Sequence, residues 1–95
     1  MNIGDSIRTL RKAAGLTQEE LAEKVGVSRP AITQIERGKV YPAGKTQDAI
    51  CAALGIAPVV LYLLSLERED IPARNRKAFD LMYPSIKAML MQLFA

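Results

Sequence analysis

The chain has 95 residues and a net charge of +3, and this length suffices for one small domain with a modest apolar core. With one cysteine and no histidine, it cannot form an internal disulfide, offers no usual transition-metal site and fits the reducing cytoplasm. No apolar stretch reaches the ~20 residues of a membrane-spanning helix. We therefore expect a soluble, cytoplasmic protein without a membrane segment, and the sequence indicates no cofactor.

Positive charge is concentrated in the N-terminal half. Residues 1–45 hold eight Lys and Arg against five Asp and Glu, whereas residues 46–95 hold five of each. A basic half beside a neutral half is typical of a nucleic-acid-binding surface joined to another element, although a solvated charged surface would give the same net charge.

The first two predicted helices have clear boundary signals. Helical spacing predicts a first helix from about Asn2 to Ala14, followed by Gly15 as a stop, and its apolar stripe is Ile3, Ile7, Leu10 and Ala14. Thr17 is placed to cap a second helix, and Glu20, three residues later, can complete a capping box. This helix is predicted to run to Val25.

The stretch from Gln18 to Ile35 has the pattern of two helices that cross at a tight turn. Each helix offers one apolar stripe, Leu21 and Val25 on the first and Ile32 and Ile35 on the second, while the small Ala22 lets the helices approach closely. Gly26 lies where a short turn needs a positive φ. Ser28 can cap the third helix, Pro30 is tolerated in its first turn, and Gly38 ends it. The pattern predicts a helix-turn-helix.

Three more helical segments are predicted after a loop. A fourth helix, capped by Thr46, ends at Gly55, and a fifth runs from about Pro58 to Leu66. The fifth is apolar nearly all round, so we expect it to be covered all round. A last segment, about Pro72 to Leu93, contains Pro84, which should kink or split it.

The runs Leu16–Ala22 and Val25–Gly38, with the later helix end Ala53–Ile56, resemble the phage-repressor-like, XRE-type helix-turn-helix family, that of Cro and lambda repressor. The resemblance spans about Ile3 to Leu64. It implies sequence-specific binding of double-stranded DNA, usually by a dimer. The fifth helix departs from the family, whose members usually carry acidic or polar residues early in that helix.

We therefore expect an all-α protein with a five-helix DNA-binding domain over residues 1–66 and an extra C-terminal helical segment over residues 67–95. The resemblance carries Gln18 over as a phosphate and helix-anchoring contact and Ser28 as a cap and phosphate neighbour. Arg29 matches a base-reading position and could pair with guanine.

The remaining DNA contacts that the resemblance implies lie along the third helix and after it. Thr33 and Gln34 match positions that reach base edges or the adjacent phosphate. Pro30 replaces a residue that is often polar, and it could contact only a thymine methyl group. The basic residues that follow are placed to neutralise phosphates, and they are Arg37, Lys39 and Lys45. For each exposed polar residue, simple solvation is the alternative.

Three residues have structural interpretations. Arg11 and Glu36 match family positions that commonly pair between the first and third helices, and as an exposed pair they would contribute about 0–1 kcal/mol. Cys51 is interpreted as a buried small apolar residue.

The C-terminal third has more large apolar side chains than one small bundle can hide. We expect a dimer interface made of Val60, Leu63, Leu64, Phe79, Tyr83, Ile86, Leu90 and Leu93. A two-fold dimer would set two recognition helices about 34 Å apart, so that the operator is an inverted repeat. The alternative is that residues 79–94 fold back on the fifth helix of the same chain.

The sequence thus indicates a DNA-binding transcriptional regulator, most simply a homodimeric repressor, and not an enzyme. Two alternatives stay open. One is a regulator that acts with a partner, such as an antitoxin or a restriction-modification controller. The other is a protein–protein interaction module that no longer binds DNA, which would have no need of the positive charges at Arg29, Lys39 and Lys45.

Overall fold

The computed structural model describes all 95 residues and contains no strand. Its α-helices are α1 (Ile3–Ala13), α2 (Gln18–Val25), α3 (Arg29–Glu36), α4 (Gly44–Leu54), α5 (Pro58–Leu64) and α6 (Arg76–Phe94). Two short 3-10 turns, Arg68–Asp70 and Ala73–Asn75, connect α5 to α6. The predicted all-α fold, with five helices followed by a helical C-terminal segment, is confirmed.

The predicted signals around the helix-turn-helix are present. Glu20 donates its backbone N–H to the Thr17 hydroxyl and its carboxylate accepts the Thr17 N–H, both at 3.0 Å, so the capping box at α2 is complete. Gly26 ends α2 with a φ of 83°. Ser28 caps α3 by accepting the N–H of Ala31 at 3.2 Å. These local bonds fix where α2 ends and α3 begins.

Two predicted boundaries are wrong. α4 begins at Gly44 with Ala43 as its N-cap, so Thr46 lies inside the first turn and caps nothing. The first N–H groups of this helix need no side-chain cap, because water can accept their hydrogen bonds at the protein surface. α5 ends at Leu64 and not at Leu66, because Ser65 already has the conformation of a helix end and donates its hydroxyl to a carbonyl four residues back.

One core lies between the first five helices, and one residue of α6 completes it. α2 packs on α3 and α4, while α1 packs on α3 and α5. The buried apolar residues are Ile3, Ile7, Leu10, Leu21, Ala22, Ile32, Ile35, Ile50, Cys51, Ile56, Val60, Leu61, Leu64 and Leu90. The predicted burial of Cys51 is confirmed. This shared core sets the angle at which α3 leaves the body of the protein.

Gly4 of α1 lets the backbone of α3 approach closely. A Cβ atom at this position would lie 2.2 Å from the carbonyl oxygen of Ile35 and 3.0 Å from that of Glu36. Real Cβ atoms do not approach a backbone oxygen so closely, so only glycine fits without a shift of α1 or α3. The C-terminal end of α3 is therefore seated directly on α1.

α4 and α5 form the most apolar pair of neighbouring helices. No single helix is long and apolar enough to span a membrane. By length and composition alone, α4 and α5 together reach the size of a membrane span, but there is a bend of 92° between them. Their buried side chains, among them Ile50, Leu61 and Leu64, belong to the core. α5 is nevertheless covered on one side only, because Val59 is 58% exposed. The expectation that it is covered all round is wrong.

α6 folds back onto the same chain and continues through Pro84 without a split. Tyr83 donates its hydroxyl to the carbonyl of Leu63, and Leu90 is buried in the core. These two contacts hold α6 on both sides of the proline, which lets the helix tolerate the loss of one backbone hydrogen bond. The predicted alternative of a fold-back within one chain is therefore correct for one face of α6.

Candidate nucleic-acid interface

A polar groove of about 690 Å³ lies between α1, the start of α2 and the outer face of α3. No large apolar side chain lines it, and its residues are Arg8, Arg11, Lys12, Gln18, Arg29, Pro30, Thr33, Gln34, Glu36 and Arg37. Five of them are cationic and one is acidic. The groove brings together six of the nine predicted DNA-contacting residues, which were identified from two separate runs of sequence.

The ion pair between Arg11 and Glu36 forms the floor of this groove. Arg11 donates through Nε to Glu36 Oε2 at 2.7 Å and through Nη2 to Oε1 at 3.0 Å. The two side chains are 9% and 2% exposed. The predicted pair is thus confirmed, but it is buried and not exposed. The hydrogen bonds that Arg11 donates to Glu36 raise the pKa of Arg11 above its ordinary value, so its guanidinium stays charged at neutral pH.

A third contact of Arg11 ties the pair to the turn before α2. Its Nη1 donates to the carbonyl oxygen of Leu16 at 2.8 Å. One guanidinium group therefore joins α1, the α1–α2 turn and the C-terminal end of α3. A planar group with five N–H donors suits such a junction, because lysine could not make the paired bonds to a carboxylate.

Gln18 and Thr33 extend this network from α2 to α3. The Gln18 amide donates to Glu36 Oε1 at 3.1 Å and accepts the Thr33 hydroxyl at 2.9 Å. Thr33 also donates to the carbonyl of Arg29 at 3.2 Å. Both side chains thus use polar atoms inside the chain, which agrees with the helix-anchoring part of the prediction for Gln18. Its backbone N–H, in the first turn of α2, has no intrahelical acceptor and stays free for a phosphate.

Three polar residues at the mouth of the groove, Arg29, Gln34 and Arg37, make no side-chain hydrogen bond or ion pair within the chain. Arg29 and Pro30, in the first turn of α3, are exposed, as is Arg37 just after it, and Gln34 is half-buried. Ser28 is exposed and uses its hydroxyl as the cap of α3. A free guanidinium at the start of a recognition helix can reach the edge of a guanine.

Lys39 and Lys45 do not line the groove. Lys39 follows α3 in a turn whose backbone bonds return to Gln34, and Lys45 lies in the first turn of α4. Both side chains are exposed and neither has an acidic partner within ion-pair distance. A phosphate contact by either residue remains a prediction.

Sequence reasoning missed two groove residues, Arg8 and Lys12. Both are exposed on α1 and line the groove opposite the start of α3. Their spacing could have identified them, because residues three and four apart share a helix face. Arg8 lies three residues before Arg11 and four before Lys12, so a predicted inward-facing Arg11 also places its neighbours at the rim.

A family model described as helix-turn-helix matches residues 7–61, more than half of the chain. The chain belongs to this family. The predicted resemblance to phage-repressor-like helix-turn-helix proteins is thereby confirmed.

The helix-turn-helix chain is similar to several regulators. The immunity repressor of Bacillus phage phi105 is 43% identical over 56 residues, which are 59% of this chain and 39% of that protein. The transcriptional activator BcrR of Enterococcus faecalis is 48% identical over 93 residues, 94% of this chain and 46% of that protein. The chain thus spans less than half the length of either relative. The similarity to BcrR includes the C-terminal segment.

A solved structure has the same arrangement of helices. It is the P22 c2 repressor in complex with a synthetic operator, with a TM-score of 0.61 and 38% identity over 64% of this chain and 92% of that chain. The prediction of a DNA-binding transcriptional regulator agrees with these comparisons. The relatives are regulators of transcription and not enzymes.

The helix-turn-helix protein has a second candidate surface on α6, where part of the predicted dimer interface lies. Val60, Leu64 and Leu90 are buried in the core of the single chain, so their assignment to an outer surface is wrong. They were assigned because a stripe of apolar residues does not itself tell an internal contact from an external one.

Four of the other five predicted interface residues, all except Leu93, line an exposed apolar depression of about 320 Å³ between α6 and the segment before it. Phe79 and Tyr83 stack there with ring centroids 4.6 Å apart, and Leu63, Ile86 and Leu93 are exposed. This surface remains available to a partner.

Proposed function

We propose that this chain binds double-stranded DNA with α3 in the major groove and regulates transcription, acting in the cytoplasm as a homodimeric repressor. The observation that carries the proposal is the cationic groove along α3, in which the only carboxylate is already held in a buried ion pair. The positive charge that faces solvent is therefore uncompensated within the chain. Double-stranded DNA, a polyanion whose major groove admits an α-helix, fits such a surface.

The proposed contacts divide into base reading and phosphate binding. Arg29 reads a guanine, Pro30 touches a thymine methyl group, and Gln34 reaches a base edge or the neighbouring phosphate. The backbone at the start of α2 binds one phosphate, since its first N–H groups lack intrahelical acceptors. Arg37, which lines the groove, and Lys39, which follows it in the chain, bind further phosphates.

Selection of duplexes from a random pool tests the proposal. The wild-type chain should enrich one motif, and the Arg29→Ala variant should lose about 1–3 kcal/mol of binding free energy and relax one base position. Lys45→Ala should weaken all sequences about equally, because a phosphate carries no sequence information. Arg74→Ala is the control, since Arg74 is exposed in the segment before α6 and lies outside the groove.

Failure to enrich any motif at low salt would contradict the proposal. It would favour an interaction module that no longer binds DNA. A reporter gene placed behind the enriched motif then gives the sign of regulation: a repressor lowers its expression, whereas the similarity to an activator makes increased expression the specific alternative.

The proposed dimer pairs α6 with its counterpart in a second copy of the chain. Apolar residues recur on its outward face at alternating spacings of three and four, and they are Phe79, Met82, Ile86, Met89 and Leu93. This is the spacing of a helix–helix seam. This spacing is separate from the contact that Leu90 makes with the core of its own chain. A seam on one helix is self-complementary, as a two-fold interface requires.

Point substitutions test this dimer better than truncation, because removing α6 would also remove Leu90 from the core. Ile86→Lys places a charge in the seam, whereas Ala88→Lys places the same charge at an exposed position of α6 outside it. The wild-type chain and the Ala88 variant should be dimers by light scattering at micromolar concentration, and the Ile86 variant a folded monomer. A monomeric wild-type chain, or a dimer that survives Ile86→Lys, would refute the assignment.

A dimer of this kind would bind an inverted-repeat operator, with its two recognition helices about one turn of DNA apart. The motif enriched from the random pool supplies the check. Two half-sites related by a two-fold axis support the dimer, and a single unrepeated half-site contradicts it.

A further inference from the structure

Two cations of α1, Arg8 and Lys12, form a second positive wall of the groove. They lie four residues apart on one helix face, both are exposed, and both line the groove together with Arg29 and Arg37 from the opposite side. Neither is within ion-pair distance of any carboxylate in the chain. The positive surface is therefore wider than the recognition helix itself.

The one acid of the groove does not neutralise this wall. Both carboxylate oxygens of Glu36 accept hydrogen bonds, Oε1 from Arg11 and Gln18 and Oε2 from Arg11, and the side chain is 2% exposed. Arg11 already balances its charge. Four cations, two on each side, thus face one solvent-filled space without an internal counter-charge, and an anion that enters it relieves their mutual repulsion.

We infer that Arg8 and Lys12 bind two successive phosphodiester groups of the DNA strand that borders the bases read by α3. This inference rests on the proposed DNA-binding function and extends it to a helix outside the helix-turn-helix. The contacts neutralise charge and read no base, because both side chains lie on α1 and face the groove from the side opposite the reading end of α3. Through α1, each half-site thereby gains contacts to the DNA backbone and none to the bases.

Salt dependence measures these contacts directly. Each neutralised phosphate contributes about 0.9 to the slope of log Kobs against log salt concentration. The variant Arg8→Gln/Lys12→Gln should therefore have a slope shallower by about 1.8, and at 0.1 M salt should bind about 60-fold more weakly. The probe is a labelled duplex that carries the motif enriched by the wild-type chain.

Arg74→Gln/Lys77→Gln is the matched control. It removes the same two charges from exposed positions near the start of α6, outside the groove. Its slope should stay close to that of the wild-type chain, so a general effect of net charge is separated from direct contact. Arg8→Lys/Lys12→Arg keeps both charges and should retain most of the affinity. Thermal unfolding of each variant, expected to match the wild-type midpoint, verifies the fold.

Ethylation interference supplies a readout that a merely structural role would not move. Two phosphates whose ethylation weakens wild-type binding should become indifferent in the Arg8→Gln/Lys12→Gln variant, while the enriched motif stays the same. Equal slopes for this variant and its control, or an unchanged interference pattern, would overturn the inference. Absence of wild-type binding to every duplex would instead refute the proposed function, so the two failures are distinguishable.

Discussion

Replacing Arg11 by methionine should destabilise the fold strongly, because the Glu36 carboxylate would remain buried without a cation. Its side chain is only 2% exposed, and Arg11 supplies two of its three side-chain hydrogen bonds. Removing one partner of a buried pair costs about 3–5 kcal/mol, against about 0–1 kcal/mol for an exposed pair. Folded domains have roughly 0.05–0.15 kcal/mol per residue of stability, so this loss is a large fraction of the total.

Urea denaturation of single and double variants is the assay. Arg11→Met alone should lower the unfolding midpoint sharply with little change in the slope m. Arg11→Met/Glu36→Gln leaves no charge buried and should recover at least half of the lost free energy, because the penalty arises from the unpaired carboxylate. A loss below about 1 kcal/mol for Arg11→Met would refute this reasoning, since it would mean that water solvates the pair as it does an exposed one.

The burial of the pair also changes what a DNA-binding measurement on Arg11 means. As an exposed pair, it would be expected to affect operator affinity more than stability. Because the pair is buried, the single variant loses affinity partly by unfolding. The double variant, measured at a temperature where it is folded, isolates the effect of the angle of α3 on binding.

Three further predictions concern local features of the fold. Gly4→Ala should lower the unfolding free energy, because the new Cβ would lie 2.2 Å from a backbone oxygen. Thermal unfolding compares it with Gly44→Ala at an exposed position, whose effect should be several times smaller. Thr17→Ala should cost about 1 kcal/mol in urea denaturation. In the wild type, hydrogen bonds from Thr17 lower the pKa of Glu20, so the contribution of the Glu20 carboxylate to the capping box is present at neutral pH and is lost as the pH falls below the carboxyl's ordinary pKa. The bond from the Glu20 N–H to the Thr17 hydroxyl does not depend on this protonation. Cys51 should react with a thiol reagent only after unfolding, since it is buried and burial raises its pKa; rapid labelling of the native chain would contradict this.

Local chemistry made the helix-turn-helix predictable. The capping box at Thr17, the positive φ of Gly26 and the cap at Ser28 each depend on residues within four positions of one another. Such interactions are encoded in short runs of sequence, so the boundaries of α2 and α3 were correct. The start of α4 was not, because its first turn has no side-chain cap to signal it.

Burial was harder to predict than helix position. Arg11 and Glu36 are charged, and charged residues are mostly exposed, so only their pairing and not their depth could be expected. The outward assignment of Val60, Leu64 and Leu90 failed for a related reason. α6 has an inward and an outward apolar face, and which one meets α5 depends on how the chain folds back.

The side chains that hold α3 in place differ from those that would read a base. The side chains of Arg11, Glu36, Gln18 and Thr33 are hydrogen-bonded to one another. The side chains of Arg29, Gln34 and Arg37 at the mouth of the groove make no hydrogen bond or ion pair within the chain. Exposed positions of this kind usually tolerate exchange within about 0.5 kcal/mol of stability. If the chain acts as proposed, mutation can therefore change the DNA sequence that it recognises while its fold stays intact. The same separation would allow the reading residues of a related repressor to be transplanted onto this scaffold.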